Sequence, residues 1–183
     1  MRQLEWIALT VLCLALTVLL VAWPDLKELR RGKVWTVTAT DDASADLAGV
    51  TVSVDAARAM VLPGSPDRAV LYLRMGLAGQ PETLRSWLAC DIGLSDSRGR
   101  IWRPLTNVAG LEIIAALGDE GDTTNNCDQS RIMAPADGSP SMSVQAFLVP
   151  SDLLDELRLR ISGFAVRPAA LSLPVRPVLR PPV

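Results

Sequence analysis

Two hydrophobic patterns divide the chain. From Leu4 to Trp23 Leu, Val, Ile and Ala dominate, and no charged residue falls between Trp6 and Trp23. A helix of about 20 residues is roughly 30 Å long, the thickness of a bilayer's hydrocarbon core. Trp6 and Trp23 stand at its two ends, where indole rings favour the membrane–water interface. Pro24 then opens a charged stretch through Arg31, and Gly32 supplies a helix stop.

Beyond Gly32 the period changes to two. Val50, Val52 and Val54 alternate with Thr51, Ser53 and Asp55, which predicts a strand with one buried face. Ala69, Leu71, Leu73, Met75 and Leu77 form a second such face, with Tyr72 and Arg74 pointing away. Leu88, Cys90, Ile92 and Leu94 predict a third, and Leu157, Leu159 and Ile161 a fourth against Arg158 and Arg160. Weaker strand patterns cover Val34–Ala39, Arg100–Arg103, Leu111–Leu117, Met142–Val149 and Ala170–Val175. Turn residues separate them at Pro63–Pro66, Asp96–Gly99 and Asp137–Pro140. One short helix is predicted over 152–156, with Ser151 as its N-cap. Seven to nine short strands at this spacing predict a mostly β, antiparallel β-sandwich. The organisation expected is an anchor with a charged flank over 1–33, a sandwich over 34–175 and a Pro-rich, frayed tail over 176–183.

The competing reading of the first segment is a cleaved signal peptide, whose apolar region runs about 7–15 residues and ends in a small-x-small site. Here the run is longer, and Leu20-Val21-Ala22 begins with a large residue. The segment therefore reads as a single-pass anchor that places residues 4–23 in the lipid bilayer. Its orientation is contested. Lys27, Arg30, Arg31 and Lys33 follow the helix and only Arg2 precedes it, which by the positive-inside rule puts the distal domain in the cytoplasm. A short charged N-terminus before a short anchor, and an even number of distal cysteines, argue for a signal anchor with the domain on the extracytoplasmic side, which is the expectation adopted.

Composition narrows the functions. Apolar residues make up 49% of the 183, concentrated in the anchor, so the remainder is ordinary for a globular domain. From Val34 onward there are 13 arginines, no lysine and 17 acids, a net charge of −4 and the wrong sign for a nucleic-acid binder. There is no histidine, which removes the commonest general base, metal ligand and pH sensor together. Neither a Gly-x-Ser-x-Gly elbow nor a lysine beyond Lys33 is present to build a nucleophile, so no catalytic residue is expected, and no cofactor.

Three groups of residues could carry function. Cys90 and Cys127, outside the cytoplasm, could form a disulfide closing a loop of about 36 residues and contributing ~3–4 kcal/mol. The alternative is two free thiols, with Cys90 packed in the core. The loop Gly118–Asp128 offers Asp119, Glu120, Asp122 and Asp128 to a hard cation, although the spacing is not that of an EF-hand. Arg85, Arg98, Arg100 and Arg103, with Trp87 and Trp102, form a basic-aromatic set suited to an acidic partner, a phosphate or lipid headgroups. The bland reading of that set is polar strand faces, with arginine stems covering the tryptophans.

The passage Leu94-Ser95-Asp96-Ser97-Arg98-Gly99-Arg100-Ile101-Trp102 resembles the Asp-x-x-Gly-Arg hairpin of bacterial immunoglobulin-like extracytoplasmic domains. Phe147-Leu148-Val149-Pro150, followed by Leu157-Arg158-Leu159, is similar to a later passage of the same group, DUF4352-like domains of single-pass bacterial membrane proteins. The resemblance covers Leu47 to Val175 and implies an immunoglobulin-like sandwich outside the cytoplasm without supplying a site. The functional expectation is an anchored, non-enzymatic module that binds or braces a protein partner, such as an accessory subunit of a membrane complex. The alternative is a cation- or ligand-binding sensor using the loop 118–128.

Overall fold

The computed structural model of the chain describes residues 2–33, 36–105, 115–119 and 125–181. They form two compact units, Met1–Thr36 and Val37–Val183. The first is helix α1 (Arg2–Lys33), which runs through Pro24 and ends one residue past Gly32. Within it Trp6–Trp23 has a mean hydropathy of 2.5, no residue of this window is buried in protein, and it is long and apolar enough to cross a membrane. Its two threonines satisfy their hydroxyls within the helix by donating backward, Thr10 to the Trp6 carbonyl and Thr17 to the Cys13 carbonyl, each at 2.8 Å.

The second unit is mostly β. Strand outweighs helix by 45% to 28% even with α1 counted. The ten described strands are β1 (Thr36–Ala39), β2 (Ser44–Leu47), β3 (Val50–Leu62), β4 (Ser65–Ala78), β5 (Cys90–Ser95), β6 (Ile101–Trp102), β7 (Ser141–Pro150), β8 (Arg158–Gly163), β9 (Ala169–Pro174) and β10 (Val178–Leu179). One sheet has the order β1-β9-β8-β5-β6; the other is β10-β3-β4-β7, with β2 also on β3. The ladders β2–β3, β3–β4, β4–β7, β5–β6, β5–β8 and β8–β9 are antiparallel, and β10 runs parallel to β3. Inner faces of both sheets meet in one core that includes Leu71 and Leu73 of β4, Phe147 of β7, Leu94 of β5, Leu159 of β8 and Leu173 of β9.

The alternation read in β4 holds: Ala69, Leu71, Leu73, Met75 and Leu77 are all fully buried. In β3 it holds only to Val54. A bulge between Val54 and Ala56 then shifts the parity, so that Ala57 and Ala59 turn inward where even-numbered residues had done so. Tyr72, expected to point away from the core, does so yet is only 1% exposed. It lies in a smaller outer cluster with Met60, Val70, Val144 and Leu117, the last supplied by the segment after β6.

Several expectations need correction. Leu88 does not share a strand face with Cys90; it sits in a turn at φ +64° and is 62% exposed, while its neighbour Trp87 is wholly buried. Helix α2 (Pro81–Ser86) precedes that turn, begun by a proline at its first position. Residues 115–117 are helical rather than extended, and 111–114, like 34 and 35, lie outside the described residues. A second unforeseen helix, α3 (Cys127–Ile132), has a capping box in which the Asn126 side chain accepts from the Gln129 N–H and the Gln129 side chain accepts from the Asn126 N–H. The predicted helix after β7 is a 3-10 turn, Ser151–Glu156, and Ser151 donates to the Pro66 carbonyl instead of capping it. The Pro-rich tail, expected to fray, carries β10, and β9 is flanked by β1 and β8.

Candidate functional site

The expected basic-aromatic set is built from three separate places. Arg85 lies on α2, and Trp87 follows it. The indole packs so closely on β8 that a Cβ at Gly163 would stand 2.6 Å from it, which only glycine avoids. At 0% exposure Trp87 is core, and its place in a partner surface is withdrawn. Trp102 pairs with Leu94, four residues along β5 from Cys90, so about 13 Å of strand separates the two regions. Sequence proximity hid this, because β5 runs the length of the sheet between them.

The β5–β6 hairpin holds the second place. Gly99 adopts φ +79°, the left-handed position such a turn requires. Asp96 organises the turn: one carboxylate oxygen accepts the N–H groups of Arg98 and Arg100 at 3.1 and 2.8 Å, and the other accepts Arg100 Nε at 2.7 Å. Burial pushes the Asp96 carboxyl up, but the Arg100 hydrogen bonds and charge, with the Arg98 N–H, outweigh it and hold it below the ordinary 3.8. Arg100 then lies over the Trp102 ring at 5.5 Å, a cation–π contact, while Arg98 is exposed. Beside Trp102 opens a groove of about 450 Å³, lined also by Asp67, Arg68, Leu148, Pro150 and Asp152. The fourth arginine, Arg103, turns to the outer face of its sheet and pairs with Asp91, which Arg167 also holds. Arg160, on the same face, is held below the usual arginine value mainly by burial; Asp91 opposes that shift and Arg103 adds to it.

Cys90 and Cys127 are joined in a disulfide, with Cα atoms 6.1 Å apart. The bond ties α3 to the start of β5, and polar contacts reinforce it. The Asp128 carboxylate accepts the Cys90 N–H at 2.9 Å, and the Arg131 guanidinium donates to the carbonyls of Arg85 and Leu88 at the end of α2. The Arg85 carbonyl, in the last turn of α2, also accepts the Leu88 N–H at 3.2 Å, so Arg131 reinforces the turn that closes the helix. Beside the disulfide is a second hollow of about 330 Å³ edged by Asp91, Arg103 and Gln145.

The acidic loop fares differently. Asp119 is engaged by Arg58 at 2.5 Å and lies 3.5 Å from Arg74, and Arg58 also donates to the Leu117 carbonyl. Asp128 belongs to the α3 contacts just described. Glu120 and Asp122 lie outside the described residues. Among the described residues no group of three or more His, Cys, Asp or Glu is placed to hold a metal ion. Asp119 thus fastens the chain after β6 onto β3 and β4, a role that the density of acids in the sequence did not reveal.

No family model matches the chain, and no curated protein matches it. Among solved structures, a Staphylococcus aureus subsp. aureus NCTC 8325 protein described as a "putative lipoprotein" is similar at 6% identity, over 79% of this chain and 97% of that one. The TM-score is 0.43, and a likeness at that level carries no argument about this chain.

Proposed function

We propose that the chain is a single-pass membrane protein whose distal unit stands outside the cytoplasm and binds or braces a protein partner, with no catalytic role. The observation that carries the reading is the pairing of two features in one chain. An apolar helix with no residue of its 18-residue window buried in protein supports a lipid environment. A disulfide clamping α3 to the sandwich supports an oxidising compartment for the other unit. The groove beside Trp102, with Arg100 stacked on the indole and Arg68 across from it, has the residue types that dominate protein contacts. The cation-sensor alternative is weakened because Asp119 is already committed to two arginines.

The experiment is purification of tagged full-length protein in mild detergent, followed by mass spectrometry of what accompanies it. A stoichiometric membrane protein retained across several detergent strengths is the expected result. Recovery of the chain alone under all of them would refute the partner reading.

A further inference from the structure

Strand β7 ends its sheet, and the outer edge of an end strand exposes backbone groups unless something covers them. β4 and β7 pair without a shift from Leu77–Ser141 to Arg68–Pro150, so one parity holds along the whole of β7. In an antiparallel ladder successive residues turn their N–H and C=O alternately toward the paired strand and away from it. The away-facing residues are the even-numbered ones. The Val144 N–H donates to the Asn125 carbonyl, and the Ala146 carbonyl accepts the Leu105 N–H, each at 2.8 Å. The Met142 carbonyl accepts the Ser130 hydroxyl. Leu148 is the next in this row, and among the described residues nothing pairs with its outward N–H or C=O. Pro150 follows with no N–H, so Leu148 is the last donor on the edge.

The course of the chain explains the gap. Ile101 and Trp102 pair with β5 in the other sheet, and three residues later Leu105 is bonded to β7. The chain thus crosses from one sheet edge to the other and leaves a wedge between them. The groove of about 450 Å³ opens there, with Trp102 on one side and Leu148, Val149 and Pro150 on the other. Leu148 is 36% exposed, whereas Ser143 through Phe147 are all buried.

We propose that an extended segment of the partner lies in this groove antiparallel to β7, as a short added strand paired to Leu148. The proposal rests on the partner-binding reading and specifies how the partner is recognised. One residue of an antiparallel neighbour supplies both bonds, donating to the Leu148 carbonyl and accepting from its N–H. That residue is not proline, which has no N–H to give. The residues on either side of it turn their side chains to the inner face, where Trp102 packs against the core, so apolar side chains suit those positions.

The test uses full-length protein in mild detergent, alone and with the partner that co-purifies with it. In the chain alone the Leu148 amide exchanges about a hundred-fold faster than the Val144 amide on the same edge, and in the complex it slows by about ten-fold or more. An amide-to-ester substitution at Leu148 deletes the N–H, keeps the side chain and weakens partner binding about five-fold, the effect of losing one hydrogen bond. Leu148→Pro acts likewise and leaves the β4 ladder intact, because this N–H is not part of it. Leu148→Val keeps the N–H and binds within about two-fold of wild type. Melting curves accompany every variant. A Leu148 amide as slow as that of Val144 in the chain alone would overturn the proposal, since the edge would already be filled. So would equal weakening by Leu148→Val and the ester, or a dimer of this chain that Leu148→Pro dissociates, which would make a second copy the occupant. If the ester variant holds the partner as wild type does, this edge is wrong while the partner-binding reading stands. If no partner accompanies the wild-type protein, both fall.

Discussion

Trp87 shows how much rests on one side chain. It is wholly buried against Gly163, and its Nε1–H has no acceptor among the described residues. Trp87→Ala is expected to cost about 3–5 kcal/mol, measured by denaturant unfolding. Trp87→Phe costs far less, because the N–H it removes had no partner to lose. Gly163→Ala, which forces a methyl into the indole, is expected to cost about 1–3 kcal/mol. Asp96 gives a prediction in pH. Its pKa is lowered in the fold, so its contribution is present above the ordinary aspartate value of 3.8 and is lost as pH falls through the lower folded value. Asp96→Asn therefore lowers the melting temperature at pH 7, and the gap to wild type closes on acidification below pH ~4. A gap independent of pH would show that the Asp96 charge is not what holds the hairpin.

At the level of elements, the disulfide and α3 form one unit. Reduction, or Cys127→Ser, is expected to cost ~3–4 kcal/mol and to loosen α3 from α2 and β5 first. Amide exchange should report this as faster exchange in Cys127–Ile132, with β3 and β4 unaffected. Thiol labelling under denaturing conditions without reductant should modify Cys13 alone, and all three cysteines after reduction; three labelled without reductant would contradict the bond. This level also shows what could be read from the sequence. Long strands buried on one face announced themselves, β4 above all, because a period of two survives wherever one side meets a core. What escaped was set by tertiary contact. The bulge after Val54 reverses parity with no residue to mark it, and α2 and α3 are six residues each, too short for a helical period to show. Leu88 misled because a large apolar residue at positive φ, exposed, defeats both propensity and pattern. The Asp91 ion pairs stayed hidden for a related reason: Arg103 and Arg167, 64 residues apart in the chain, meet on it only because β5 pairs with both β6 and β8.

At the scale of the whole molecule, the two units carry different hydrophobic patterns. Trp6–Trp23 is apolar on every side, which suits lipid, whereas the sandwich hides its apolar faces between two sheets and is acidic in net charge. The apolar helix and the mostly β domain were legible because each spans many residues of one pattern. The side of a membrane was not legible, since basic flank and cysteine count gave opposite signals; the Cys90–Cys127 bond is what supports the proposed extracytoplasmic side. The proposed function requires the distal domain to grip a protein. The most direct test is a photocrosslinking amino acid placed in living cells at Ile101, 45% exposed on the hairpin that carries Trp102, and separately at Asp137, in an exposed turn. One discrete crosslinked protein is expected from position 101 and none from 137. Absence of any adduct at 101, or the same adducts at both positions, would contradict it.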